Sequence, residues 1–305
     1  MADSHDERLR RARIALEGLS VGDGFGGFFE GGRPESLPYH LKTHKLPPRP
    51  WNFTDDTNMA LSIYSVLRVY QTIDQDKLGL DFGKHFDRTR GYGLGTRGVL
   101  MRMQKGATWR EAAYARGNGG GSYGNGGAMR VAPLGAYFAD DMEALVENAR
   151  LSSEVTHAHP EGIAGAIAVA AATAVAWQAR GKEINRQVFI DQILPYVPDS
   201  AVKTGIETAR ELPDGIPVWP DVVGKIGNGS GISAQDTVPY VLWCAGERLA
   251  NYEESIWLTA SGGGDVDTTC AMVGGIVAMY TGAEGIPADW IQAREPLPDW
   301  ALTGS

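Results

Sequence analysis

Two acidic clusters, Thr54-Asp55-Asp56-Thr57 and Gly263-Gly264-Asp265-Val266-Asp267-Thr268-Thr269, stand immediately ahead of apolar helical runs, Met59 to Ile73 and Cys270 to Tyr280. Neighbouring carboxylates repel, and in a partly buried setting one of them protonates unless a cation neutralises both. Asp and Thr are favoured at helix starts, where an oxygen accepts an orphan N–H and the macrodipole favours negative charge. Capping by Asp56 and Asp267 therefore accounts for either cluster taken alone. A cap uses one side-chain oxygen, however, and the two clusters together leave two carboxylates without that task. Four convergent carboxylates imply bound cations. Carboxylate and Thr hydroxyl donors suit Mg²⁺, Mn²⁺ or Ca²⁺ and not the N/S-preferring Zn²⁺. The fold must then bring together two helix N-termini that lie about two hundred residues apart.

Nothing in the 305 residues reads as a linker, so one domain is expected. The net charge of −9, with no basic stripe to offset it, argues against nucleic acid as a partner. The start, Met1 to Arg11, mixes charges and lacks the apolar stretch of a signal peptide, which points to the cytoplasm. The longest apolar run, Gly162 to Ala179, is rich in Ala and Gly and ends near Gln178 and Arg180. It fits a packed central helix better than a membrane span. Cys244 and Cys270 fall within apolar helical patterns and read as buried free thiols. A monomer is expected.

Leu9, Ile14, Leu16 and Leu19 mark a helix over residues 7–19, which the glycines of Gly22 to Glu30 are expected to end in a tight turn. Residues 31–53 hold five prolines and read as a long irregular loop. Helices follow near Met59 to Ile73, Leu80 to Arg88, Thr96 to Met103 and Thr108 to Arg116. Gly117 to Gly127 contains seven glycines in eleven residues and runs into the apolar Ala128 to Leu134. It reads either as a flexible linker or as a backbone cradle for a phosphate at a helix N-terminus. It lacks the preceding strand and the closing Gly-Lys-Ser/Thr of nucleotide-binding loops. Further helices are expected over Met142 to Ser153, Gly162 to Ala179, Asn185 to Tyr196, Ser200 to Glu211, Ser233 to Asn251 and Glu254 to Thr259, with no useful strand pattern. Thr156-His157-Ala158-His159-Pro160 is either a capped turn or, through His157, a ligand contact.

With these residues in view, the chain resembles the ADP-ribosylglycohydrolases related to the enzyme that reactivates dinitrogenase reductase. The resemblance is carried by Gly22-Asp23, Thr54-Asp55-Asp56-Thr57, Gly126-Gly127-Ala128-Met129-Arg130, Thr156-His157 and Asp265-Val266-Asp267-Thr268, in that order. Phe28-Phe29-Glu30, Arg90-Gly91-Tyr92-Gly93, Gly121 to Arg130 and Gly231-Ile232-Ser233-Ala234 bring it closer to the branch that acts on serine-linked ADP-ribose and poly(ADP-ribose) than to the arginine-specific branch.

The resemblance implies an all-α, single compact orthogonal multi-helix bundle with a metal-lined cleft. It implies a binuclear Mg²⁺ site, with Mn²⁺ as a substitute, held by Thr54, Asp55, Asp56, Asp265, Asp267 and Thr268. Glu30 would be a mobile acid, with Asp55 and Asp56 sharing the catalytic role. Gly121, Ser122, Tyr123 and Gly124 would hold the diphosphate, Asn125 would join them in binding substrate, and Gly91, Gly95, His157 and Ile232 would line the rest of the pocket. The expected partner is an ADP-ribosylated protein or ADP-ribose itself. Two departures stand out: Val266 replaces the usual Thr between the last two aspartates, and Gly117 stands where an aromatic precedes the glycine loop. An arginine-linked hydrolase with the same ions, and a non-catalytic ADP-ribose-binding protein, are the alternatives.

Overall fold

Residues His5–Glu30 form one continuous 26-residue helix, α1, where the glycines suggested a turn. The structure is a computed structural model that describes residues 3–30 and 36–303. The glycines of α1 are a packing face. Gly18, Gly22 and Gly26 recur every fourth residue, the spacing of one helical ridge, and that ridge lies against Val266–Thr281. A Cβ on Gly18 would stand 2.4 Å from Gly274 O, one on Gly22 2.1 Å from Cys270 O, and one on Gly26 2.5 Å from Val266 O. Only a residue without a Cβ lets the two backbones come so close. At the other end of α1, Ser4 and Glu7 bond reciprocally as a capping box.

The remaining helices follow in order. They are α2 Leu37–Thr43, α3 Asp55–Tyr70, α4 Gln75–Lys84, α5 Leu94–Gln104, α6 Trp109–Tyr114, α7 Ala132–Tyr137, α8 Met142–Glu154, α9 Pro160–Gln178, α10 Arg186–Ile193, α11 Ala201–Glu211, α12 Val223–Ile226, α13 Ala234–Glu247, α14 Tyr252–Ser261, α15 Val266–Thr281, α16 Ala288–Ala293 and α17 Asp299–Leu302. Among the described residues there is no strand, only the isolated bridges Trp51 with Arg294 and Gly124 with Ser233. The all-α expectation holds. Part of the expected loop over 31–53 is the short helix α2, and residues 31–35 lie outside the described residues.

Helix α9 is buried nearly all round, with Ala164 to Ala176 wholly enclosed by packing on α7, α8, α13 and α15. It is long and apolar enough to span a membrane. Its neighbours instead make it the centre of one buried cluster that runs from Ala12 to Ala301. Beside the lower half of α1, Phe25 stacks on Trp290 (5.1 Å, 5°) and meets Trp257 and Trp51 edge-on. Such pairs each contribute about 0.5–1.5 kcal/mol beyond burial, and here they fix the stretch of α1 that carries Asp23 and Glu30.

Candidate metal and substrate site

Neither acidic cluster caps its own helix in the ordinary way. Thr54 and Asp265 hold the N-cap positions of α3 and α15, and neither side chain makes a capping bond. Helix α1 supplies the caps. Asp23 Oδ1 accepts from the Thr54 hydroxyl (2.8 Å), and Oδ2 accepts from the Thr57 amide (3.0 Å) and hydroxyl (2.5 Å). The Thr54 amide is shared between both oxygens at 3.0 Å. Seven residues on, Glu30 Oε1 accepts the Val266 amide at 2.7 Å. Asp23 and Glu30 flank Gly26, the point where α1 meets the start of α15, so one helix face satisfies both N-termini.

The carboxylates of the clusters are thereby spared most of the capping. Asp56 Oδ2 accepts from the Thr54 hydroxyl (3.0 Å) and faces the Thr268 hydroxyl (3.4 Å), while its Oδ1 is buried without a partner. Asp267 Oδ1 accepts the Thr268 amide at 2.7 Å. Oxygens of Asp23, Asp56 and Asp267 lie within 4.8 Å of one another, and so do those of Glu30, Asp265 and Asp267. Asp267 belongs to both triads. A carboxylate offers about four acceptor positions, and Asp23 spends them on its four donors, which makes it the residue that positions Thr54 and α3. The orphaned Asp56 oxygen and an all-oxygen donor set fit hard divalent cations, and this acidic group can hold metal ions.

Electrostatics points the same way. Burial, then the charge of Asp23, pushes Asp55 up to about 8. Burial alone drives Asp23 up to about 6 against its four hydrogen bonds. Asp56 and Asp267 are raised well above the usual range by burial and by their acidic neighbours. Glu30 and Asp265 are raised in the same direction, first by burial.

A carboxylate whose folded pKa exceeds its unfolded value binds protons more tightly when folded. Its contribution to stability is complete below the usual aspartate value of 3.8 and is lost as pH rises through the folded value, here about 6 for Asp23 and about 8 for Asp55. Chelated protein should therefore unfold at lower urea at pH 8 than at pH 5, and saturating Mg²⁺ should abolish the difference. A chelated protein that grows more resistant across this window contradicts the reading.

The glycine segment is ordered by its neighbours. Gly121, Tyr123 and Asn125 are tied by backbone bonds to Arg116, Ala234 and Ile232, and His159 N–H bonds to Ser122 O. Gly121 has φ +79°, and a Cβ there would lie 2.8 Å from His159 N. The loop does not open a helix as expected. Short 3₁₀ turns at Gly117–Gly119 and Asn125–Gly127 intervene, and α7 starts only at Ala132. The helix starts that back the loop are those of α9 and α13, whose His159 and Ala234 amides donate to Ser122 O and Tyr123 O.

Ser122 and Gly124 are half-buried, with Ser122 Oγ accepting the Gly124 amide at 3.2 Å. Tyr123 and Ile232 are exposed on the two paired segments. His157 lies buried beneath them, where a Cβ on Gly126 would reach its ring at 2.5 Å. Burial, followed by the charges of Arg130 and Arg116, pushes His157 down to about 3 and keeps it neutral. Gly91 is exposed at φ +81°, and Gly95 lies directly beneath the Arg116 guanidinium.

Asn125, expected among the substrate-binding residues, is turned to the acidic cluster instead. It is buried, and its side-chain amide donates to Asp265 Oδ2 (2.6 Å) and Thr237 Oγ1 (3.1 Å), so both donors are taken. Its task is to orient Asp265. Asp23 is the reverse case, since the Gly-Asp motif displayed it without suggesting a role at the cluster. The i, i+7 spacing of Asp23 and Glu30 on one helix face was the available signal, and reading a turn at Gly22 to Gly27 concealed it. Two hollows, about 420 Å³ beside Arg186 and Glu247 and about 740 Å³ between α4 and α5, share no residue with the cluster.

The family model described as ADP-ribosylglycohydrolase matches residues 4–303. The chain is 31% identical to the ADP-ribosylhydrolase ARH3 of Homo sapiens, covering 94% of this chain and 90% of that protein. It is 24% identical to the ADP-ribosylarginine hydrolase Tri1 of Serratia proteamaculans (strain 568), covering 93% and 75%. A solved structure described as an ADP-ribosylglycohydrolase-related protein complex superposes with a TM-score of 0.65 at 26% identity, over 95% of this chain and 93% of that one.

Proposed function

The chain belongs to the ADP-ribosylglycohydrolase family, and on that premise we propose that it hydrolyses serine-linked or other O-linked ADP-ribose on protein, with Mg²⁺ or Mn²⁺ held by Thr54, Asp55, Asp56, Asp265, Asp267 and Thr268. The observation that carries this reading is the unpartnered, buried Asp56 Oδ1 among carboxylates whose capping work is done from α1. Two such ions, when bound, supply Lewis acidity and lower the pKa of water. Water adds to ribose C1″, the C1″–O bond breaks, and the serine hydroxyl leaves with a proton. Carboxylates facing C1″ stabilise the oxocarbenium character that develops there.

Glu30 is the member of the group most open to solvent, and a single backbone bond holds it. Its raised pKa suits a group that accepts a proton from water and releases it again. Asp23 and Asn125 keep Thr54 and Asp265 in place. Ser122 and Tyr123 present the loop's amides to the diphosphate, because those of Gly121 and Gly124 are held by Arg116 O and Ser122 Oγ, while Gly91, Gly95, His157 and Ile232 surround the nucleoside.

The O-linked assignment is supported by the lower identity to the relative named an arginine hydrolase. The test is release of ADP-ribose from matched peptides modified on serine or on arginine. Release from the serine peptide alone is expected. Release from the arginine peptide alone would reverse the assignment, and binding of ADP-ribose without release from either would leave a non-catalytic receptor.

A further inference from the structure

Eight of the chain's 28 Lys and Arg residues fall between Lys84 and Arg116, and no acidic residue lies between Asp87 and Glu111, in a protein of net charge −9. The whole-chain balance, from which no basic stripe was expected, averages this segment away. Its two acids are engaged locally. Asp87 accepts from Thr89 and lies 3.5 Å from Arg90, and Glu111 closes a capping box with Thr108. Arg90 also pairs with Glu295. Among the described residues, no carboxylate comes within ion-pairing distance of Arg88, Arg97, Arg102, Lys105 or Arg110, and all five are exposed. Helix α5 buries the opposite side through Val99, Leu100 and Met103.

This face adjoins the site at both ends. Arg90 donates to Phe53 O, next to Thr54, and Tyr92 OH accepts from Asn58, one turn along α3 from Asp55. At the far end, Arg116 O accepts the amides of Gly119 and Gly121. Cations that pair with no carboxylate beside a cleft raise the local concentration of an anionic chain.

We propose that the exposed face of α5 and α6 binds the pyrophosphates of further ADP-ribose units, so that oligomeric ADP-ribose is held along it. The inference rests on the function proposed above. Four of the five unpaired cations are arginines, whose planar fork matches phosphate oxygens two at a time. Leu94 and Tyr114 are exposed on the same two helices and offer apolar contact to bases. Cations interleaved with such surfaces are the usual means of holding a flexible chain of phosphates and bases. An acidic peptide would engage the charges and the forks through its carboxylates, but it brings no bases to Leu94 and Tyr114.

The test uses the full chain with Mg²⁺ and the triple variant Arg97→Glu/Arg102→Glu/Arg110→Glu, all at exposed positions outside the proposed catalytic group. Substrates are one serine peptide carrying either a single ADP-ribose or a short ADP-ribose oligomer. For the oligomer, kcat/KM should fall about tenfold or more, and its salt dependence should flatten. For the single unit it should stay within about twofold, with an unchanged melting temperature. Equal loss on both substrates, or none on the oligomer, overturns the proposal. So does competition by single-stranded RNA or polyglutamate of equal charge that matches competition by the oligomer. If the wild type cleaves neither substrate, the proposed function fails by itself. Binding of a labelled oligomer to chelated wild type and variant then still decides, because equal affinities would overturn the face.

Discussion

Replacing Asp56 with Asn is expected to reduce turnover at least about a hundredfold, because outer-shell changes at metal sites already cost about 10–100-fold and Asp56 would be a direct ligand. The amide preserves shape. Its oxygen can still face the Thr54 and Thr268 hydroxyls, which lie 3.0 and 3.4 Å from Asp56 Oδ2. What disappears is one charge from a buried group in which Asp23, Asp55 and Asp265 all push Asp56 toward protonation. The melting temperature in chelator should accordingly hold level or rise, while stabilisation by added Mg²⁺ should shrink. A capping residue behaves oppositely, since loss of its oxygen costs about 0.5–2 kcal/mol of stability and leaves turnover intact. That pattern would return Asp56 to a purely structural role.

Gly26→Ala should be among the most damaging single-methyl changes in the chain. The new Cβ would lie 2.5 Å from Val266 O and 2.6 Å from Asp267 Cα, both backbone atoms that cannot rotate away. Overpacking of this kind costs about 1–3 kcal/mol and sometimes more. Relief requires α1 to move off α15, which withdraws Asp23 from Thr54 and Thr57 and Glu30 from Val266, so Mg²⁺ affinity should drop together with stability. Gly98→Ala is the control. Nothing lies within 4 Å of its Cβ, and it occupies an exposed position in α5, where Ala is the better helix former by about 1 kcal/mol. Denaturation midpoints and Mg²⁺ titrations of both variants decide the matter. Equal stability of the two would mean that the α1 to α15 contact is not the constraint described.

The acidic clusters were legible because their chemistry is local. Two carboxylates at one helix start need a reason, and the reason can be read without knowing the fold. The helix class was legible for a similar cause, since the apolar spacing of α8 and the long apolar runs of α13 and α15 each lie within one segment. Gly22 and Gly26 were misread because a glycine's meaning depends on what approaches it, and Cys270 O and Val266 O approach from some 240 residues away in sequence. Separations of 34 and 140 residues likewise concealed the roles of Asp23 and Asn125, whose partners are Thr57 and Asp265. Ala128 to Leu134 looked like a helix start from composition, yet the bonds of Asn125 and Ala128 turn the chain first. The basic segment was in plain sight between Lys84 and Arg116, hidden by averaging over the chain.

The most direct measurement is turnover of a serine-ADP-ribosylated peptide by protein stripped of metal, shown to be metal-free, and then titrated with Mg²⁺. The account predicts no release of ADP-ribose from the stripped protein and recovery as Mg²⁺ fills the oxygen ligands around Asp56 and Asp267. Full turnover by the metal-free protein, or recovery with Zn²⁺ but not with Mg²⁺ or Mn²⁺, would contradict it.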